Sequence, residues 1–343
     1  MLAIDRDGVE RADEIVIPLE SSDTAEAHAR VRAFARTRLA DPATKARERR
    51  AGIYLALEWT LLISATYALI YALPSWWLKT ILLVPWSLYS GFALDNIIHY
   101  GNHWPLFRSR FANALWRYSG ALVQVNPLEI RAVHHQHHAA YNRPDNAEQV
   151  FSDEDRSKSF ARYVIGGALD GLRSLMPWRA MDPSVLALRV QRPARYREIL
   201  ALRGIGLAWV LVLVWLDWAN TLFFFIPTVL VGHTFASLVM NLTDHIPGDS
   251  RHPFRLATYH QPKGLVEATC SAVNHHTCAT HLTHHLFPRV HWVHLPSVQT
   301  ALADIFERNA APRSLLVNSA LLGNPAAIGR VLREIKTRHF DTR

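Results

Sequence analysis

Nineteen histidines occur in 343 residues, and their distribution is uneven. Only His28 precedes residue 99, whereas seventeen fall between His99 and His294. Their spacing carries the chemistry. His99 and His103 (HYGNH) are four apart, so on a helix both rings share a face and can meet one metal ion. In HHQHH, at about 100° per residue, His134, His137 and His138 fall within an arc of about 100°, and His135 lies about 160° from His137. A helix here presents an HxxHH triad inward and turns His135 away. His281, His284 and His285 in HLTHHLFP repeat that triad. A histidine run can be a metal scavenger or a pH switch, and a lone HxxxH says little. Two HxxHH triads beside an HxxxH read as a ligand set.

A fourth element, NLTDH, puts Asn241 and His245 one helical turn apart. With His245, the three boxes make nine imidazoles, whereas a closed zinc site takes four ligands. Nine imidazoles therefore imply two metal ions. Neutral imidazole suits iron, copper, nickel or zinc, so the donors alone do not choose the metal. No HExxH glutamate accompanies them. Asp95, Asp145 and Asp244 stand close to the boxes in sequence and could fix a ligand tautomer. A helix cap or a surface ion pair is an equal reading of each.

Two apolar blocks must position these residues. One runs from about 52 to 98 and the other from about 199 to 243. A bilayer crossing needs about 20 apolar residues, so each block is long enough for two helices. The first is broken at Pro74-Ser75, with Trp76, Trp77 and Lys79 beside the break; the second is broken near Asp217-Trp218-Ala219-Asn220. Trp and Lys favour the membrane interface. Arg30, Arg32, Arg36, Arg38, Lys45, Arg47, Arg49 and Arg50 precede the first block, against Asp41 and Glu48. The middle and C-terminal segments are also Arg-rich, while the hairpin turns are nearly free of basic residues. By the positive-inside rule both termini and the middle segment are cytoplasmic. That accounts for the net charge of +8 and a pI near 9.7 without nucleic acid.

The expected architecture is an all-α membrane protein with four transmembrane helices in two hairpins and a cytoplasmic helical cap carrying the histidine boxes. Its divisions are 1–50, an N-terminal cytoplasmic segment; 51–98, the first hairpin; 99–198, cap; 199–243, the second hairpin; and 244–343, cap and C-terminal helices. Within the cap, SKSFARYVIGGALDGLRSLM has helical apolar spacing and reads as a helix on the membrane surface or in the cap core. RSLLVNSALLGNPAAIGRVLREIKTRHF reads as amphipathic helix. The acidic first 25 residues lack the apolar core of a signal peptide, and Cys270 and Cys278 form no disulfide framework.

HYGNHWPLFRSRFAN, HHQHHAAYNRPDN and HHLFPRVHWVHLP resemble the integral-membrane fatty acid desaturase/hydroxylase superfamily, over roughly residues 52–300. The resemblance implies a non-haem diiron centre that uses O2 to attack an unactivated C–H bond of an acyl chain. By position, His99, His103, His134, His137, His138, His245, His281, His284 and His285 would hold iron, and Asn241 would do so through water. His233, His275 and His276 are rival candidates for the last two places. Two departures stand out: the first box reads His99-Tyr100 where the family often has His-Asp or His-Glu, and the segment 246–280 is long. Imidazole survives beside an oxidising metal better than thiolate, which oxidises. No haem, iron–sulfur or flavin motif is evident, so electrons must come from outside. An acidic ferredoxin with its reductase would suit the basic face.

The leading expectation is a fatty acid desaturase, an integral, multi-pass membrane enzyme with its active site cytoplasmic (the inner membrane in a bacterium). Its partners would be membrane lipid, the acyl substrate and the donor, with no nucleic acid. Hydroxylation, or oxidative decarboxylation of a free fatty acid to a terminal alkene, uses the same iron chemistry. A metal transporter is the more distant alternative. Transport sites lie near the bilayer midplane, whereas these ligands sit at helix ends.

Overall fold

The computed structural model describes residues 22–39, 41–139, 159–175, 182–244, 261–262, 264–273 and 275–309, with a few isolated positions beyond them. The described residues are helical and form no strand. In chain order the helices are α1 (Ser22–Phe34), α2 (Pro42–Tyr67), α3 (Trp76–His103), α4 (Arg110–Ser119), α5 (Pro127–Ala139), α6 (Phe160–Asp170) and α7 (Pro183–Gln191). They continue with α8 (Pro193–Asn220), α9 (His233–Asp244), α10 (Gly264–Val273), α11 (Thr277–Leu286), α12 (Leu295–Ala301) and α13 (Ala303–Asn309). Side-chain caps start several of them. Asp41 accepts from the Ala43 N–H at 3.0 Å ahead of α2, and Asp182 from the Ser184 N–H at 2.7 Å ahead of α7, each followed by proline at the first helical position. Asn126 accepts from the Glu129 N–H at 3.3 Å and starts α5.

Three helical stretches are long and apolar enough to cross a membrane: Pro42–Ala72, Trp76–His103 and Pro193–Asn241. The first two are separated at 73–75, where Pro74 removes a donor. Of the apolar window in α3, 61% is buried, against 28% in each of the other two, so α3 is the central helix. The outer faces carry exposed Leu57, Leu61, Val84, Leu211, Trp215 and Leu216. Such continuous exposed apolar surface is costly in water and suits lipid.

The sequence reading divides the third stretch into two passes. It has 49 residues; a straight helix of that length would measure about 74 Å, more than twice the ~30 Å hydrocarbon core. Asp217 interrupts it with φ −157° and ψ 81°. Before the break, Asn126 donates to the Ile199 carbonyl at 3.1 Å and Gln124 to the Gly206 carbonyl at 3.0 Å. At the break, Lys79 donates to Asn220, whose own side chain donates to Asp217 at 2.6 Å. After it, Tyr71 bonds Thr221 at 3.0 Å and Ser90 bonds His233 at 2.9 Å. Lys79 and Ser90 are both on α3, so the chain beyond the break packs along that helix. Beyond the break comes a π-helical stretch, Thr221–Gly232, around Pro227, which leads into α9.

Two parts of the expected cap make contacts with the long helices. α4 meets α2 where Trp116 stands edge-on to Trp59 at 5.8 Å. The corner before α5 enters the bundle, where Gln124 adopts the left-handed region (φ 56°) and Tyr67 donates to the Leu122 carbonyl at 2.6 Å. α6, expected on the membrane surface or in the cap core, lies lengthwise along the stretch 230–238. A Cβ on Gly167 would meet Leu238, and one on Gly171 would meet Leu230 and Thr234, an antiparallel register. The amphipathic segment 313–340 lies almost wholly outside the described residues.

α3 and α9 approach closely. A Cβ on Gly91 would lie 2.8 Å from both the His233 Cα and the Ala236 Cβ. Small residues let helices in an apolar bundle come into backbone contact. Gly91→Ala is expected to destabilise the fold by about 1–3 kcal/mol through overpacking. The thermal unfolding midpoint in detergent measures this; an unchanged midpoint would show that the two helices separate freely.

Candidate metal centre

Three helix segments deliver the boxes to one volume. The last turns of α3 carry His99 and His103, the end of α5 carries His134, His137 and His138, and α11 carries His281, His284 and His285. Ligand atoms of His99, His103, His134 and His284 all lie within 4.8 Å of one another. His134 Nε2 is 2.9 Å from His103 Nε2 and 3.0 Å from His138 Nε2, and His138 Nε2 is 3.1 Å from His284 Nε2. Beyond them His285 Nε2 stands 2.9 Å from His281 Nε2, with the His285 ring 4.6 Å from His138 and 5.0 Å from His137. All eight box histidines thus join one cluster, and all but half-buried His103 are buried.

Burial pushes the His138 and His284 imidazoles well below the usual histidine range, and neighbouring imidazoles push further: His134 and His285 for His138, His99 and His134 for His284. Both are neutral at pH 7. Several Nε2 atoms converge within hydrogen-bond distance of each other, and an Nε2–H can satisfy only one such contact well. The buried Nδ1 atoms of His138 and His284 have no hydrogen-bond partner among the described residues. Neutral, buried, convergent imidazole nitrogens fit a divalent metal. Of the acidic neighbours, Asp244 is buried, with Oδ2 3.8 Å from His281 Nδ1, the place of a group that fixes a ligand ring. Asp95 instead faces Ser237 Oγ at 3.5 Å, toward a cavity of about 290 Å3 between α3, α5, α8 and α9. Asn241 lies on the last turns of α9. His245 and Asp145 lie outside the described residues.

His135 is turned out of the four-histidine group. Its Nε2 points to the Asn102 carbonyl at 3.5 Å, and its ring stacks 5.9 Å from His103. The rival histidines have other partners. His233 bonds Ser90, His276 bonds Ser271 at 3.0 Å, and His275 meets Glu58 of α2 at 2.8 Å. His275 and His276 both take left-handed backbone (φ 52° and 61°) and form the corner that aims α11.

Sequence reasoning treated Tyr100 only as a departure from the family pattern, and its role is visible here. It is buried, donates to the His275 carbonyl at 3.0 Å, accepts from Thr277 at 3.0 Å and stacks on Trp292 at 5.1 Å. It ties the first box to the corner before the third. Its place beside His99 was the available signal.

Comparison with known proteins now bears on this cluster. The family model described as fatty acid desaturase matches residues 74–316. The chain belongs to the fatty acid desaturase family. That span takes in all three boxes, the Asp217 break and the corner at His275-His276. Comparison with curated proteins, and with solved structures, gives no match.

Two measurements test the site. His137→Ala or His138→Ala is expected to lose bound metal by mass-spectrometric metal analysis, whereas His135→Ala keeps it; an empty site in His135→Ala alone would overturn this assignment. The second concerns His291, whose ring lies 5.1 Å from Trp104 and whose pKa is lowered to about 4 by burial and then by His294. A free histidine titrates near 6.5, so on acidification the unfolded chain takes up this proton first. Stability is therefore lost as pH falls from about 6.5 toward about 4. In His291→Gln the unfolding midpoint is expected to drop less between neutral pH and about pH 5 than in the parent. An equal drop would assign the acid sensitivity elsewhere.

Proposed function

We propose that this chain is a membrane, O2-dependent, non-haem diiron oxidoreductase that desaturates a fatty acyl chain. The observation that carries the reading is the convergence of eight box imidazoles, from three separate helices, at one end of membrane-length apolar helices. Nine histidines would hold two iron ions: His99, His103, His134, His137, His138, His245, His281, His284 and His285. Asn241 would contribute through water. Asp244 would hold the His281 ring in place, and Asp95 and Asp145 would act less directly. Bound iron would supply the activation of O2 and the oxidation of the C–H bond. The protein's own part is to keep the imidazoles neutral, fix their rings and exclude bulk water.

We read the chain as crossing the membrane four times, in hairpins turned at 73–75 and at Asp217, with termini and metal centre on the cytoplasmic side. Trp76, Trp77, Trp215 and Trp218, exposed around the two turns, suit the opposite interface. The cavity between α3, α8 and α9 would receive the acyl chain along Leu94, Ile98, Val229 and Leu230. Electrons would come from a ferredoxin and its reductase, docked on the basic face.

The test is product analysis. Purified protein loaded with iron, a ferredoxin–reductase pair and an isotopically labelled fatty acid is expected to give an alkene of unchanged chain length. Metal analysis is expected to find two irons per chain. A hydroxylated product, or a terminal alkene one carbon shorter, would sink desaturation and keep the diiron chemistry. Readily exchanged zinc without turnover would sink both and favour transport.

A further inference from the structure

Residues of α3, α4, α5 and α8 line a second cavity of about 560 Å3. His103 lines it, together with Asn102, Trp116, Arg117, Arg131 and Arg195. Asn102 is 3% exposed and Trp116 is 7% exposed. Four buried atoms on this wall have no hydrogen-bond partner among the described residues: Asn102 Nδ2, Trp116 Nε1, Arg117 Nε and Arg131 Nε. All four belong to N–H groups. An unsatisfied buried donor costs about 1–3 kcal/mol, so four together point to an acceptor that belongs there. The charge has the same sense. Three guanidinium groups line the wall, and Glu198 reaches one of them, Arg117, at 3.5 Å. Arg195 and Arg117 crowd Arg131, which burial and their like charge bring down to about 10. Trp116 is aimed by backbone shape: a Cβ on Gly101 would lie 2.4 Å from its ring, so only glycine lets the indole lie against α3.

We propose that this cavity binds the carboxylate of a free fatty acid substrate, held by Arg117, Arg131 and Arg195 with N–H groups of Asn102 and Trp116. The inference rests on the fatty-acyl reading above and narrows it. Guanidinium forks match a carboxylate in a planar, bidentate way. The cavity wall includes His103 itself, adjacent in the chain to Asn102. A carboxylate seated here therefore sets the first few carbons of the chain, rather than its middle, beside the metal cluster. A thioester-linked acyl group lacks that charge at its carbonyl end, and its carrier's phosphates lie far along the carrier.

Calorimetric titration of the full-length, iron-loaded protein in detergent tests this with dodecanoate, methyl dodecanoate, dodecanoyl-coenzyme A and inorganic phosphate. Dodecanoate is expected to bind at least about 10-fold more tightly than its methyl ester, which keeps the chain and loses the charge. Arg131→Gln and Trp116→Phe are each expected to weaken dodecanoate binding about 10-fold, leaving the methyl ester and the bound iron unchanged. Trp116→Phe removes the N–H and keeps a packing ring, which guards against a folding failure. Equal affinity for acid and ester overturns the proposal. So does a loss in Arg131→Gln confined to the coenzyme A ester or to phosphate, which would assign the cavity to a carrier's phosphate. A loss confined to ferredoxin affinity and its salt dependence also overturns it, assigning the arginines to the donor. The two readings fail separately. Two irons without acid selectivity sinks this site alone, and acid selectivity in a protein that holds no iron sinks the diiron reading alone.

Discussion

Eight imidazole rings share one buried volume, and a metal can use their nitrogens only while the rings stay neutral and their lone pairs converge. Burial secures the first condition, because a charged imidazole is expensive away from water. It creates the second problem: polar nitrogens facing one another in an apolar bundle must be held against rearranging into ordinary hydrogen bonds. Helical periodicity is the answer at short range. Spacings of three and four put His99 with His103, His134 with His138, and His281 with His285, one turn apart on rigid elements. A loop could carry the same residues but could not hold their Nε2 atoms within about 3 Å of each other without a metal already bound.

Rigid elements still need to be aimed, and few contacts do it. Gly91 lets α3 and α9 touch backbone to backbone. Tyr100 and Glu58 grip the corner at His275-His276, and Thr283 donates to Gln299 of α12 at 2.9 Å. His294 reaches Glu48 of α2 at 3.1 Å. Histidines outside the boxes thus serve as struts, so the high histidine count has two causes. Ring size, a donor, an acceptor and modest charge suit both a ligand and a buried strut, and spacing separates the two uses.

The boxes were legible because their signal is local. One periodicity, applied to HHQHH, separated His135 from its three neighbours, and the structure turns that ring toward the Asn102 carbonyl. The break at Pro74 was legible for the same reason. What a sequence cannot place is depth. The α4–α5 corner reads as part of a polar cap, yet Tyr67 and Gly206 draw Gln124 into the bundle through bonds 55 to 82 residues distant in the chain. The carboxylates show the same limit. Asp95 and Asp244 both stand close to a histidine in sequence, and only Asp244 is placed beside a box ring. The corner at His275-His276 was opaque because a left-handed step has no period.

Electrostatics links the cluster to its surroundings. Arg131 lies one turn before His134 and His135; burial first, then Arg131 and to a lesser degree Arg195, push the His135 imidazole down to about 4. The same positive field disfavours protonation of nearby rings, which preserves lone pairs. It also disfavours a divalent cation. Two unit charges 4 Å apart at an effective dielectric near 20 repel by about 4 kcal/mol, and a dication doubles that. A guanidinium cluster beside a metal centre is therefore a contradiction unless an anion stands between them and attracts both. Glu198 reaches Arg117 at 3.5 Å. Helix geometry builds the metal's place, and the arginines leave a place for negative charge beside it; each makes the other affordable only when the second is filled.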